Sequence, residues 1–418
     1  MWNGIIIISF KLVNVNFFLD FDILFNMWNF IFLIIVLFIT IRVLFFSFSY
    51  IRVYSIQNFI FLYLIFVFRI FWLIINNNFY WIILGWDGSG VVSFILIVFY
   101  MNYESVTNGL FTIFQNRLGD LFFVIFLLYL FTSLNFGNRV LKFGLLFLIL
   151  GSCVKRAQFP FNAWLLAAIR APTPISSLVH SSTLVVAGVY ILLQHSYCLY
   201  NYIIVLKFLS LLTLLISLFG LLNEVDIKKL IAYSTISHVG LILIIIRLGL
   251  YKVTFFHLNI HAIFKSLIFM CFGFTILNSY HAQDKRLVSY FSLSPVVKII
   301  YYFACFCMIG LPFLRGFFSK DFIIEKSIEF SVEMRNVLLL LLFLRVRIYY
   351  RFKLLRLFKI FYVIMFNETQ ILGILGLIII IFLRVLIINV YISLIFRVSL
   401  EILNFKIVIY LFMLSFFY

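Results

Sequence analysis

Apolar stretches long enough to cross a bilayer follow one another along almost the whole chain, with short connections between them. A membrane-spanning helix needs about 20 residues to cross roughly 30 Å of hydrocarbon. Stretches of that kind lie near 24–48, 57–77, 79–101, 118–135, 141–158, 173–194, 201–222, 229–249, 255–277, 296–314, 317–332, 333–352, 371–396 and 402–418. With 66% hydrophobic and 11% charged residues over 418 positions, no water-soluble core could absorb this apolar surface. The pattern predicts an all-α membrane protein, a polytopic bundle of about 12–14 transmembrane helices, because a lipid-exposed backbone must satisfy its own hydrogen bonds. Residues 4–16, interrupted by Lys11 and Asn14, are too short to be a span.

Against that background the ionisable residues stand out. Lys155, Lys229, Lys265 and Lys320 lie in or beside apolar stretches, where a Lys costs about 2.5–3.5 kcal/mol on insertion scales unless it has a partner. Asp87, Asp120, His180, His257, His261 and Asp321 supply opposite or switchable charge in the same stretches. The default reading is an ion pathway. Asp87 near Lys155 would form an ion pair whose strength changes when either partner is protonated, and a Lys that can lose its proton can pass one on. His257, His261 and Lys265 fall at i, i+4 and i+8, which on a helix lines one face over about 12 Å. With water in the gaps that face is a short polar wire.

Plainer alternatives stand beside each residue. Asp87 can be an interfacial helix-end carboxylate, Lys155 beside Arg156 a snorkelling charge, and His180 a packing residue with one hydrogen bond. Lys228 and Lys229 with Glu224 and Asp226 read as a solvated loop, and Lys320 with Asp321 as a surface pair. His195, His238 and His281 read as structural or interfacial. The six His lack the paired spacing of a two-haem membrane subunit, which excludes that redox class.

Net charge +18 would point to nucleic acid in a soluble protein, but these charges are scattered among helices and carry no patch, so no nucleic-acid partner is expected. The run RVRIYYRFKLLRLFK (345–359) is either a segment binding anionic lipid such as cardiolipin or a helix end with snorkelling side chains. Cys153, Cys198, Cys271, Cys305 and Cys307 show no metal-site spacing and read as small buried hydrophobes. No signal or transit peptide is evident, and the abundance of Phe, Ile, Leu, Tyr and Asn fits an A/T-rich organelle gene. Only five Pro occur, and four of them mark breaks: Pro160 in GSCVKRAQFPFNAW, Pro172 and Pro174 in RAPTPISS, Pro312 in IGLPFLRGFFSKD. Two Pro-broken helices, each with a nearby Lys, are what an internal inverted repeat would leave.

LGWDGSG (84–90), NRLGD (116–120), KRAQFPFNAWLLAAIRAPTPISSLVHSSTLVVAGVY (155–190), DIKKLIAYSTISHVG (226–240), HLNIHAIFKSLIF (257–269) and GLPFLRGFFSKDFIIE (310–325) resemble, in order, the antiporter-like membrane-arm subunits of respiratory complex I, NADH:ubiquinone oxidoreductase. The APTPISSLVHSSTLV block and the SKD ending are those of the subunit 5 type. The large subunit of multisubunit sodium/proton antiporters is similar in the same blocks but is usually much longer.

The resemblance implies two inverted antiporter-like repeats and a proton channel in the mitochondrial inner membrane. It implies N-terminal helices over 1–78, a proton-translocating core over 79–332, and C-terminal helices over 333–418 with a shortened lateral helix or bracing by other subunits. Asp87 takes the place of the intramembrane carboxylate. Arg117 and Asp120 match the residues flanking the next helix, Lys155 the Lys of the first broken helix, and His180 the His after it. His257, His261 and Lys265 match the central polar line, and Lys320 with Asp321 the pair after the second break. FMN, iron–sulfur clusters and ubiquinone would belong to partner subunits, with none in this chain, and the neighbouring antiporter-like subunit 4 would be a contact. Against the family pattern the first two helices are expected to be lost or reduced to residues 1–16, LDFDILF (19–25) already resembling the approach to the third. The chain departs also in His238 where Gln is common, and in Arg156 and Leu166 where a small residue and a Pro are usual. A stand-alone cation/proton exchanger or a purely structural membrane scaffold are the competing classes.

Overall fold

The computed structural model describes residues 6–10, 21–51, 53–136, 138–196, 199, 202–279, 282–288, 295–309, 319 and 323. The expected spans at 317–332, 333–352, 371–396 and 402–418, the second Pro break, the basic run 345–359 and Cys198 lie essentially outside these residues. Among the described residues, eight helices are long and apolar enough to cross a membrane.

The chain starts with a small exception to the all-helical reading. Strand β1 (Ile6–Phe10) pairs antiparallel with β2 (Phe21–Phe25), with Ile8 opposite Ile23. Neither apolar run is long enough to span as a helix, so the two satisfy each other's backbone instead. The segment expected to lead into a helix is thus a ribbon, and the bundle begins at α1 (Met27–Tyr50).

Helices α2 (Ile56–Ile75) and α3 (Phe79–Ile97) follow, separated by three Asn. Asn78 caps α3 by accepting a hydrogen bond from the Tyr80 backbone N–H at 3.2 Å. α4 (Tyr103–Phe136) begins well before the expected 118. Hydropathy missed its first turns because they are polar. Ser105, Thr107, Asn108 and Thr112 donate to carbonyls three or four residues back (2.7–3.1 Å), so they satisfy themselves within the helix.

α5 (Asn138–Lys155) lies tightly against α4. A Cβ at Gly151 would sit 3.1 Å from the Gly119 carbonyl oxygen, and one at Gly119 would sit 3.1 Å from Val154, so the two glycines let the helices come this close with no room to spare. α5 then stops inside the protein. Ala157 takes φ +52°, its N–H bonds the Val154 carbonyl at 3.1 Å, and the Gln158 N–H bonds the Cys153 carbonyl at 3.0 Å. That is a Schellman termination with Ala in the left-handed position usually given to Gly. Trp164 Nε1 fastens the next segment by donating to the Val154 carbonyl at 2.8 Å.

Beyond this break lie α6 (Ala163–Ala168), the single turn α7 (Thr173–Ile175) at Pro172 and Pro174, a π-helical segment (Ser176–Thr183) and α8 (Leu184–Gln194). The Thr183 hydroxyl donates to the Leu178 carbonyl five residues back at 2.9 Å, which suits the wider helix. The stretch 173–194 is therefore one span of mixed winding. α9 (Ile203–Asn223), α10 (Ile227–Arg247), α11 (Tyr251–Asn278), the short α12 (Lys285–Val288) and α13 (Pro295–Ile309) complete the described fold.

α11 is the axis. It packs against α1, α10, α13 and the π segment, and nearly every side chain from Val253 to Ile276 is buried. Its polar residues consequently face protein. Cys153, Cys271, Cys305 and Cys307 are buried thiols, as expected of small hydrophobes.

Candidate ion pathway

The first cluster forms where α3, α4 and the broken end of α5 meet. Lys155 is the last residue of α5, so the adjacent helix carbonyls favour a cation there. Its side chain is 2% exposed; Nζ lies 3.5 Å from Asp120 Oδ1 and donates to the Trp86 carbonyl at 3.2 Å. The ammonium also sits 5.2 Å from the centre of the Trp86 ring. Space for it comes from Gly90, where a Cβ would fall 2.9 Å from Nζ.

Asp87 is not the direct partner of Lys155. It pairs with Arg117, and Arg117 reaches Asp120 at 3.5 Å one helical turn along. The reason is placement: Asp87 and Arg117 are nearly half exposed on the flank of the bundle, whereas Lys155 is enclosed. Asp87 still acts electrostatically on Lys155, and its carboxyl comes within hydrogen-bonding reach of Asp120. The four residues form one network, Asp87–Arg117–Asp120–Lys155, graded from partly exposed to buried. Chemically, a proton on either carboxylate weakens the hold on the cations beside it.

Next to it, Arg156 is wholly buried and turns back on its own helix. It donates from Nε to the Ser152 carbonyl at 3.0 Å, and from Nη2 to the Ser152 hydroxyl at 2.8 Å and the Cys153 sulfur at 3.3 Å. With Lys155 enclosed as well, neither is a snorkelling charge, the plainer reading considered for Lys155. His180 falls in the π-helical segment; its side chain lies outside the described residues.

The second cluster lies between α10 and α11. His257, His261 and Lys265 are buried on α11, at 1%, 1% and 2% exposure. The Lys265 ammonium donates to the Ser234 hydroxyl, and to the Ile231 carbonyl at 3.3 Å, both on α10. His257 Nδ1 is 3.1 Å from the Ser319 hydroxyl, one residue before Lys320 in the sequence. Lys320 and Asp321 themselves lie outside the described residues.

Two residues join the pathway that sequence reasoning set aside. His238, read as structural, places Nδ1 3.3 Å from His257 Nε2, and its ring lies 5.1 Å from that of His261. Lys228, read as loop, is 3% exposed and donates to the Ala171 carbonyl at 3.2 Å, within the span between the first break and the π segment. Lys229, singled out instead, pairs with Asp226 at 3.0 Å near the surface. The signal was present: Lys228, Ser234, Thr235 and His238 recur at near-helical spacing along α10.

A polytopic helical bundle with, among its described residues, a buried Lys–Asp pair at a broken helix and a second buried Lys beside imidazoles has the features of an antiporter-like membrane protein. The family model for the transmembrane region of NADH:quinone oxidoreductase and Mrp antiporter proteins matches residues 76–348, and the chain belongs to that family. It is 39% identical over 350 residues to NADH-ubiquinone oxidoreductase chain 5 of Anopheles arabiensis, covering 77% of this chain and 90% of the relative. To the proteins of the same name in Anopheles gambiae and Aedes aegypti it is 39% and 41% identical, over 77% and 72% of this chain. It spans 60% and 54% of the length of those two relatives. Among solved structures, the archaeal membrane-bound sulfane sulfur reductase aligns at TM-score 0.80 and 20% identity, over 91% of this chain and 82% of that one. The Mrp complex from a Dietzia species aligns at TM-score 0.76 and 20% identity, over 90% and 44%. At that identity the two structures share the fold.

Proposed function

We propose that this chain is a proton-translocating membrane-arm subunit of respiratory complex I, of the subunit 5 type, in the mitochondrial inner membrane. The observation that carries this reading is the enclosed Lys155–Asp120 pair at the end of the broken helix α5, linked outward through Arg117 to Asp87. An isolated Lys there would be strongly disfavoured, and a paired one stores charge that a neighbour's protonation can release.

In this reading Asp87, Arg117, Asp120 and Lys155 form the switchable network and His180 the inward link. His257, His261 and Lys265 form the central wire, and Lys320 with Asp321 the terminal relay. Moving one charge across 100 mV requires about 2.3 kcal/mol, so the driving energy comes from redox partners. FMN, iron–sulfur clusters and ubiquinone belong to those subunits, and the neighbouring antiporter-like subunit 4 and lipids such as cardiolipin are the expected contacts. The core over 79–332 carries the pathway.

The test is native purification of the complex containing this chain, with its co-purifying subunits identified and proton uptake measured in proteoliposomes during NADH:quinone turnover. Co-purification with flavin and iron–sulfur subunits, and loss of proton uptake on Lys155→Met, is the expected result. Isolation without redox partners, with cation/proton exchange intact, would replace this reading by a stand-alone antiporter.

A further inference from the structure

The imidazole of His238 is set between two helices in a way that packing alone does not require. Its Nδ1 lies 3.3 Å from His257 Nε2, the rings are nearly parallel at 22°, and their centroids are 5.4 Å apart. The centroid of His261 is 5.1 Å away, its ring tilted by 39°. His257 and His261, by contrast, are separated along their own helix by four residues, a rise of about 6 Å. His238 is fully buried, and His257, His261 and Ser319 are each 1% exposed. An imidazole has a nitrogen at each end of a short path, so it can accept a proton at one and release one at the other.

We infer that His238 is itself a proton carrier, closing the gap in the α11 wire by direct imidazole-to-imidazole transfer from His257 towards His261. This rests on the proton-pathway reading and adds a residue from α10 to it. In the forward step a proton from the Ser319 side forms a bond at His257 Nδ1 while the N–H bond at His257 Nε2 breaks. That proton forms a bond at His238 Nδ1, and the His238 Nε2 proton leaves towards His261. Each ring gains one proton and loses one, so no net charge stays in the apolar interior, and ring rotation resets the path. Ser234 and Lys265 lie further along the same α10–α11 seam, so the carrier delivers towards the buried ammonium.

The experiment compares complex carrying His238→Gln, His238→Leu or Lys265→Ala with the unaltered complex, reading assembly on native gels and proton uptake per NADH oxidised in proteoliposomes. A Gln amide keeps a donor and an acceptor but does not carry a proton through, so a merely structural His238 is rescued by Gln. A carrier is not. The expected result is that both His238 variants lose proton uptake by about a hundredfold or more, within the range for removal of a proton-transfer group. Uptake at the unaltered level in assembled His238→Gln overturns the inference while leaving the pathway standing. Full uptake in Lys265→Ala overturns the pathway reading itself, and the two failures are thereby distinct. If the Gln variant does not assemble, His238→Asn, smaller and with the same amide, takes its place under the same criterion.

Discussion

Lys155 reaches across from the end of α5 to Asp120 on α4, 3.5 Å away, rather than to Asp87 on α3. The consequence is an order of importance between two carboxylates. Asp120→Asn leaves a buried ammonium without its direct counter-charge, a change of the kind that typically costs about 3–5 kcal/mol. Asp87→Asn removes a half-exposed pair with Arg117, worth less for stability. Complex with Asp120→Asn should assemble in lower amount and lose proton uptake; that with Asp87→Asn should assemble normally and show its defect in uptake alone. Equal assembly of the two would contradict the burial gradient.

Gly90 offers a substitution that acts on Lys155 without touching a charge. An added methyl would sit 2.9 Å from Nζ, at the mobile end of a long side chain, so the helices need not move. Gly90→Ala should therefore preserve assembly yet displace the ammonium from the Trp86 carbonyl and Asp120, lowering proton uptake severalfold. Gly90→Ala with wild-type uptake would mean the seat of the ammonium is not used.

How much of this was legible in the sequence depends on what set each feature. Among the described residues, the order of the long helices followed from apolar length, because the bilayer demands it. The polar start of α4 did not, since its Ser, Thr and Asn side chains bond their own helix and hydropathy reads them as loop. The α11 stripe was readable from a four-residue period, whereas His238 and Lys228 depend on how α10 is rotated against its neighbours. Asp87 was assigned to Lys155 because both are ionisable and near the same helices. Which carboxylate wins is decided by the Gly119–Gly151 contact that brings α4 against α5, a pairing of backbones that neither sequence segment announces alone.

The α5 break holds an unused margin of stability. Ala157 sits at φ +52°, where an L-residue with a Cβ is disfavoured by about 1–2 kcal/mol relative to its usual region. Ala157→Gly keeps both Schellman hydrogen bonds and removes that cost, less the greater freedom of Gly in the unfolded chain. The expected net gain is up to about 1 kcal/mol, seen as a small rise in the thermal transition of the purified complex with proton uptake unaltered. A fall would show that the turn needs the Ala methyl for packing.

His195, just past the end of α8, gives a pH-dependent prediction. Burial lowers its pKa from 6.5 to about 4, and its ring packs 4.3 Å from that of Phe79. The folded imidazole stays neutral while the unfolded one begins to take a proton near 6.5. Its contribution to stability is thus full above that value and declines as pH falls through the window down to about 4. Thermal unfolding of the complex should lose less on going from pH 7 to pH 5 in His195→Gln than in the unaltered protein; identical pH dependence would exclude this residue as a source.

Lys228 and Lys229 are adjacent in sequence and opposite in circumstance. Lys228 is 3% exposed with its ammonium on the Ala171 carbonyl at 3.2 Å, so it ties the start of α10 to the backbone just before the α7 turn and the π segment. Lys229 forms a surface pair with Asp226 at 3.0 Å, a type worth about 0–1 kcal/mol. Lys229→Met should leave assembly and proton uptake within a factor of about two, because one such exposed pair is lost. Lys228→Met removes the tie between α10 and the segment that carries His180, and should lower uptake markedly, with Lys228→Arg restoring only part of it because a planar guanidinium does not fit the site of a point charge. Uptake measured side by side on the three variants decides the matter: a larger defect from Lys229→Met than from Lys228→Met would mean that the buried lysine is only a brace and that the surface pair carries the function.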